Sequence, residues 1–413
     1  MKVVHVNASD LEGGAARAAN RLHQGLLKAN VDSTLLVQSK SGNNTNVIGP
    51  QTNQQKAAAS VRPFLDKLPT TRYKNRSKAP FSPSWLPLSG IPKRINDLNP
   101  DIVHLHWIGN GMLSIEEIAD IKAPIVWTLH DSWAFTGGCH VRLSCEKYQS
   151  SCGACPVLGS EKISDLSHSV FKRKLKTYSK IKKLTVTGPS VWLSKSASDS
   201  PLFKGRNILT IPIPLDTTVF SPVDKLTARR LLSLPEAKKL ILFGAKSATE
   251  DLNKGFKLLI EALNKLVRAD VELLVVGSNQ PEEPQNLNHT AHYLGTFYDN
   301  VSLKLLYSAA DVIVVPSLQE AFGQMATESL SCGTPVVAFG STGLLDIVDH
   351  KKNGYLATPY ETNDLAYGID WVLSYPNASE LAHSAREKVL NVFDATIIVQ
   401  KYLNLYKEVI ESN

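Results

Sequence analysis

The sequence predicts an α/β protein of two doubly wound domains, and three observations carry that prediction. The chain has 413 residues, beyond the roughly 250 to 300 at which a single hydrophobic core stops growing. Short β-branched runs alternate with helical patterns along most of it. The alternation is interrupted by one proline-rich stretch, after which it starts again. The first series of runs is KVVHVNA (2–8), STLLVQ (33–38), DIVHLHW (101–107), PIVWTLH (124–130) and KLTVTGPS (183–190). Apolar runs this continuous suit strands covered on both faces, as in a parallel sheet between helical layers. The second series is KKLILFGA (238–245), VELLVVGS (271–278), HYLGTF (292–297), DVIVVPS (311–317) and TPVVAFG (334–340). Between the two lies DSPLFKGRNILTIPIPLDTTVFSP, where Pro201, Pro212, Pro214 and Pro222 exclude regular helix. The expected domains are 1–205 and 206–394, followed by an amphipathic helix over 395–413 that packs back on the N-terminal domain. The polar, aperiodic stretch 40–62 reads as a long loop with part of a helix.

Composition narrows the class. Hydrophobic residues make up 43% and charged residues 20%, the balance of an ordinary globular enzyme. No run approaches 18 apolar residues, so no membrane span is expected. Asn7, Asp10 and Glu12 interrupt the N-terminal apolar residues too early for a secretory segment, which favours the cytoplasm. The net charge of +7 is concentrated in two clusters. One runs from Lys56 to Lys78 with Arg62, Lys67, Arg72, Lys74 and Arg76, against Asp66 alone; the other spans Lys172 to Lys183. Such clusters suit an anionic partner, including peripheral contact with an anionic membrane, or else form solvated helix faces. No RNA-binding or helix-turn-helix pattern accompanies them, so nucleic acid is not the expected partner.

Three segments carry chemistry. After the first strand, Gly13 and Gly14 permit a tight turn and close approach of backbone to a ligand, with a helix opening at Ala15. The stronger segment is PSLQEAFGQMATESLSCGTPVVAFGSTGLLDIV, from Pro316 to Val348. A strand there ends in a loop bearing Glu320, and a helix begins near Phe322 or Gly323. Its N–H groups at Gly323, Gln324 and Met325 suit a diphosphate, and Glu328 sits about a turn and a half further on. One carboxylate would then accept from sugar hydroxyls and the other from a second polyol. Ligands of doubly wound sheets bind just beyond the carboxyl ends of strands, where this loop falls. A third segment gathers Cys139, Cys145, Cys152 and Cys155 within 17 residues. In a reducing compartment that spacing fits a closed structural zinc site, with His140 as a substitute ligand; free thiols and disulfides are the alternatives. Cys332 reads as buried core.

The motif E-A-F-G-x(4)-E-S-L-S-C-G-T-P-V-V-A resembles the donor-site signature of glycosyltransferase family 4, retaining enzymes of the GT-B fold with two facing Rossmann-like domains. IPIPLDTTVFSP is similar to the family's interdomain linker, although Ile213 and Pro214 stand where that linker usually reads asparagine and glycine. TLHDSW (128–133), TGPSVWLSKS (187–196) and ILFGAKSATEDLNKGFKLLIEAL extend the likeness over most of the chain. HDSWAFTGGCH with the cysteine segment resembles transferases that build colanic-acid-like exopolysaccharides. The resemblance implies that Glu320 binds the donor sugar, Glu328 the ribose and Lys254 the diphosphate. Lys246 would be the second base, although the family usually has arginine at that point. It also implies that His130 lies beside the donor sugar with Asp131 holding its loop. No D-x-D occurs in the chain, so fixed lysines and a helix terminus, rather than a catalytic metal, would stabilise the departing diphosphate. The expected activity is transfer of a hexose, UDP-glucose being the preferred donor and GDP-mannose the alternative. The expected acceptor is a glycan or lipid-linked acceptor in polysaccharide assembly. A zinc-containing nucleic-acid-binding protein is the competing class, distinguished by salt-sensitive affinity for DNA or RNA in place of affinity for UDP.

Overall fold

The computed structural model describes residues 1–245, 247–280 and 286–411. They form two compact units, each a parallel sheet flanked by helices.

The first unit comprises Met1–Pro212 and the chain from Ile398 onward. Its strands are β1 (Lys2–Ser9), β2 (Asp32–Ser39), β3 (Val47–Ile48), β4 (Ile102–Leu105), β5 (Ile125–Thr128), β6 (Leu184–Gly188) and β7 (Asn207–Thr210), in the spatial order β3-β2-β1-β4-β5-β6-β7. Chain direction through the sheet reverses between β1 and β4, which makes that gap the switch point. Its helices are α1 (Gly14–Lys28), α2 (Asn53–Lys67), α3 (Ile91–Asp97), α4 (Leu166–Tyr178) and α5 (Val191–Ser198). Residues 40–62 therefore hold a two-residue strand and most of a helix. Strand β7 was not expected, because its NILT run is at most half-buried at the sheet edge and lacks the apolar continuity of an interior strand. It carries the first unit to Pro212, beyond the expected limit at 205.

The second unit is Ile213–Ile397. It contains α6 (Lys225–Leu231), β8 (Lys239–Gly244), α7 (Phe256–Leu263), β9 (Val271–Val276), β10 (Thr290–Tyr293), α8 (Asn300–Ala309), β11 (Val312–Val315), α9 (Gln324–Ser331), β12 (Val336–Phe339), β13 (Gly354–Ala357), α10 (Thr362–Leu373) and α11 (Ala378–Val392). The strands run in the order β10-β9-β8-β11-β12-β13, with the switch point between β8 and β11. At Gly354 a side chain would meet the Val336 carbonyl oxygen at 2.0 Å, so only glycine lets β13 close on β12.

The last helix, α12 (Ala395–Glu411), returns to the first unit. It buries Ile398, Val399, Tyr402, Leu405, Tyr406 and Val409 against Val3, Leu22, Leu26 and Ile102. The spacing of those residues is that of one helical face. Gly25 of α1 makes room for the approach, since a Cβ there would lie 2.5 Å from the Val399 Cγ2.

Candidate functional site

In the second unit, the loop after β11 and the loop after β8 are joined by hydrogen bonds. Asn253 is the joint: its carbonyl accepts from Leu318 N–H (2.8 Å), its Oδ1 from Gln319 N–H (3.1 Å), and its Nδ2 donates to the Gln319 carbonyl (2.8 Å). The neighbouring Gly255 has φ +71, and a Cβ there would lie 1.9 Å from the Pro316 carbonyl oxygen. Only glycine permits that approach. The consequence is that Lys254 Nζ reaches Glu320 Oε2 at 3.0 Å, both side chains being about a quarter exposed. The Glu320 charge, against an opposing effect of burial, raises the Lys254 ammonium above its ordinary range. The Glu320 backbone is held as well. Its N–H donates to the Thr342 hydroxyl at 3.1 Å and its carbonyl accepts from Gly343 N–H at 2.9 Å. Sequence reasoning missed Asn253 and Thr342, which touch the loop only after the chain has folded.

Helix α9 starts just beyond, with Gly323 as its N-cap at φ 117 and no side chain capping it. The first-turn N–H groups of a helix lack intrahelical acceptors and carry a partial positive charge. Phe322 does not line an open site with its ring: it is 2% exposed and packs edge-on against Phe393 at 5.6 Å, so only its backbone is available to a ligand. Met325 is half-buried, and its methyl group occupies the space where a Cβ on Gly244 would fall, 2.7 Å away. Glu328 is also interior, 2% exposed, and its Oε2 accepts from the Tyr307 hydroxyl at 2.6 Å. Gln324 opens the helix and is half-buried. Lys246 lies outside the described residues.

In the first unit, Gly13 is the N-cap of α1 with φ 90, and Gly14 begins the helix. Nothing lies within 4 Å of a Cβ placed on Gly13, so its backbone angle, and not crowding, calls for glycine. His130 follows β5 and is half-buried. Its Nε2 lies 3.0 Å from His106 Nδ1, and His106 Nε2 lies 3.0 Å from His5 Nδ1. His104 stacks on His106 with ring centroids 4.3 Å apart. Its two nitrogens meet the hydroxyls of Tyr406 and Thr128, each at 2.6 Å. Burial lowers His104 to about 3 and His130 to about 4, the Asp131 charge opposing the shift in His130. The rings are therefore neutral at neutral pH, and each N···N contact needs one protonated partner. The tautomer of His130 is tied through His106 to that of His5.

Asp131 anchors the same loop. It accepts from Trp107 Nε1 (2.7 Å), His140 Nδ1 (2.6 Å) and Trp133 N–H (2.8 Å). Burial pushes its carboxyl up, but the His140 charge and these donors outweigh burial and hold it below the usual range. A small cavity opens here, lined by His106, Trp107, Leu129, His130, Asp131 and His140.

The geometry bears on the expected zinc site and on one histidine cluster that the sequence did not suggest. The four cysteines line one cavity and are free thiols. Among the described residues, three ligand atoms converge within 4.8 Å at His5, His104 and His106, not at the cysteines. In this arrangement the cysteines do not form the tetrahedral sulfur set of structural zinc. With no metal beside them, burial pushes the Cys139 and Cys152 thiols up to about 12. His140 is no substitute ligand, since its nitrogens bond Asp131 (2.6 Å) and Ser82 (2.8 Å). The histidine trio fails for a different reason. Its rings are within 20° to 30° of parallel, and in-plane lone pairs of stacked rings do not meet at one point. The Lys172–Lys183 cluster also needs correction, because Lys174 is interior. It donates to the carbonyls of Trp133 and Thr136, lies 3.6 Å from the Trp133 ring centroid, and is lowered by burial to about 7.

Comparison with known proteins agrees with this architecture. Residues 12–153 match the model described as Glycosyltransferase Family 4, and residues 224–390 that of Glycosyl transferases group 1. The "Uncharacterized glycosyltransferase MJ1607" of Methanocaldococcus jannaschii is 32% identical over 197 residues, covering 46% of this chain and 50% of that protein. A D-inositol 3-phosphate glycosyltransferase of Stackebrandtia nassauensis is 34% identical over 194 residues, 43% of this chain and 44% of its own. The chain thus spans about half the length of the curated relatives it matches. Among solved structures, sucrose-phosphate synthase from Thermosynechococcus elongatus is similar with a TM-score of 0.72 at 19% identity, covering 100% of both chains. Anabaena Alr3699/HepE in complex with UDP-glucose has a TM-score of 0.66 at 16% identity, covering 99% of this chain and 100% of that one. The fold is GT-B.

Proposed function

We infer that this chain, which carries a family 4 glycosyltransferase domain ahead of a group 1 domain on a GT-B fold, is a glycosyltransferase using a nucleotide-sugar donor. The observation that carries the reading is the Lys254–Glu320 pair, 3.0 Å apart, on two loops bound to each other at the carboxyl ends of β8 and β11. A cation and a carboxylate side by side, near a helix N-terminus, match the two ends of a sugar diphosphate. Lys254 is assigned to the diphosphate, Glu320 to the sugar hydroxyls, and Glu328 to the ribose. Gly323, Gln324 and Met325 would present backbone N–H groups to the phosphates, and Gly13 and Gly14 would give the donor close access to backbone. His130 is assigned a contact with the donor sugar on the strength of the resemblance. Retention of configuration, UDP-glucose as donor and a glycan or lipid-linked acceptor in polysaccharide assembly complete the proposal. The complex of HepE with UDP-glucose supports the donor class, and the relative named D-inositol 3-phosphate glycosyltransferase supports the transferase reading.

The test is hydrolysis of a panel of nucleotide sugars by the purified protein, with and without EDTA. UDP-glucose turnover that survives the chelator is expected. Turnover of GDP-mannose alone would move the donor assignment, and absolute dependence on added magnesium or manganese would overturn the metal-free mechanism.

Lys254→Ala gives a second check. Charge-assisted hydrogen bonds contribute about 1.5 to 3 kcal/mol, so UDP affinity measured by calorimetry is expected to fall by about ten- to a hundredfold. An unchanged affinity would remove Lys254 from the diphosphate.

A further inference from the structure

Helix α2 is built inside out. Its one buried residue is Asp66, 1% exposed, while Val61, Phe64, Leu65 and Leu68 at its C-terminal end are 50%, 80%, 39% and 48% exposed. Their spacing of i, i+3, i+4 and i+7 is that of a single helical face, here turned to solvent. Polar anchors explain how the helix is held without that face. Arg62 donates to the carbonyls of Gly111 (2.6 Å), Pro87 (3.0 Å) and Leu86 (2.7 Å), and Asp66 accepts from Trp85 N–H at 3.2 Å. The fold therefore leaves the apolar face unused. The anchors also bring up the loop carrying Trp85 and Leu88, 40% and 91% exposed. The Trp85 indole N–H donates to the Leu65 carbonyl at 3.3 Å, so helix face and loop form one apolar patch.

The same segment carries exposed cations. Lys56, Lys67, Arg72, Lys74, Arg76 and Lys78 are all exposed, and the only acid between residues 56 and 78 is the buried Asp66. An apolar face containing phenylalanine, leucine and tryptophan, in a segment otherwise rich in exposed lysine and arginine, has the composition of a segment lying in a membrane interface. We propose that this patch docks the first unit on an anionic phospholipid bilayer, with Phe64, Leu68 and Leu88 entering the acyl boundary and the basic residues meeting headgroup phosphates. Charge decides the occupant: a second copy of this chain would set the six cations against six more, whereas an anionic surface neutralises them. The proposal is independent of the donor reading, because it concerns binding without nucleotide.

Flotation of the full chain with vesicles tests it. Vesicles of phosphatidylglycerol and phosphatidylcholine are expected to carry the protein at least about tenfold better than phosphatidylcholine alone, with the difference shrinking in high salt. Phe64→Ser with Leu88→Ser should reduce binding about tenfold or more. Lys67→Glu with Arg72→Glu should abolish the preference for anionic lipid, with UDP affinity unchanged in both variants. These positions are exposed, and circular dichroism of each variant checks that it folds. Equal binding to both vesicle types, or binding that survives both pairs of substitutions, would overturn the proposal. So would a dimer in analytical ultracentrifugation that Phe64→Ser dissociates.

Discussion

Glu320→Gln is expected to lower turnover of the nucleotide sugar by about 10²- to 10³-fold, the scale of losing one preorganised electrostatic contact, while affinity for free UDP changes little. The carboxylate is fixed before any ligand arrives, by Lys254 at 3.0 Å and by the backbone bonds of its loop to Thr342 and Gly343. Its assigned partners are sugar hydroxyls, whose hydrogen bonds tighten as the anomeric carbon gains positive charge, so the loss falls on the transition state. Glu328→Gln should behave differently. A ribose contact is unchanged through the reaction, so its loss raises donor KM and weakens UDP with less effect on kcat. Glu328 also accepts from the buried Tyr307 hydroxyl, and a fall in melting temperature should accompany that variant and not Glu320→Gln. Steady-state kinetics and UDP calorimetry on both variants decide the matter. Weaker UDP binding in Glu320→Gln with none in Glu328→Gln would reverse the assignment.

The second large effect is acid sensitivity of the first unit. His104 is lowered to about 3 and His23 and His130 to about 4, in each case chiefly by burial. Their folded values lie below the ordinary 6.5, so from about pH 6.5 down to 4 the unfolded chain binds more protons than the folded one. Stability is therefore full above pH 6.5 and lost as pH falls. Three such groups give a slope of about 4 kcal/mol per pH unit, large against the total stability of a domain. Five of the six tryptophans lie within residues 1–212, so tryptophan fluorescence during urea unfolding follows mainly this unit. Its midpoint should fall steeply between pH 6.5 and 5; a flat midpoint over that interval would show that the histidines are hydrated.

Much of the architecture was legible because interior parallel strands are apolar runs. KLILFG and VIVV could be read directly, and Glu320 in the β11–α9 loop and Glu328 inside α9 stood out by their spacing from Gly323. What escaped notice depended on neighbours. The GYLA strand is defined by a glycine that lies against Val336, and Asn253 acts only through the loop it clasps. The histidines were visible as letters in HVNA and HLHW, but their column arises from register: β1 and β4 pair His5 with His104, and alternation along β4 puts His106 on the same face. The cysteines show the opposite limit. Their spacing suggested zinc, and the fold gathers all four around one cavity without bringing three of their sulfur atoms within 4.8 Å of one another.

The return of α12 to the first unit bears on how the chain is made. Residues 398–411 complete a core begun by Val3 and Leu22, yet they are synthesised nearly two hundred residues after Pro212. At 5 to 20 residues per second that is a delay of roughly 10 to 40 s on the ribosome. By its end the second unit, continuous from Ile213 to Ile397, has all its residues in hand. Meanwhile Leu22, Leu26 and Ile102 await their cover, and nascent chains halted before Ile398 would be the ones that chaperones hold.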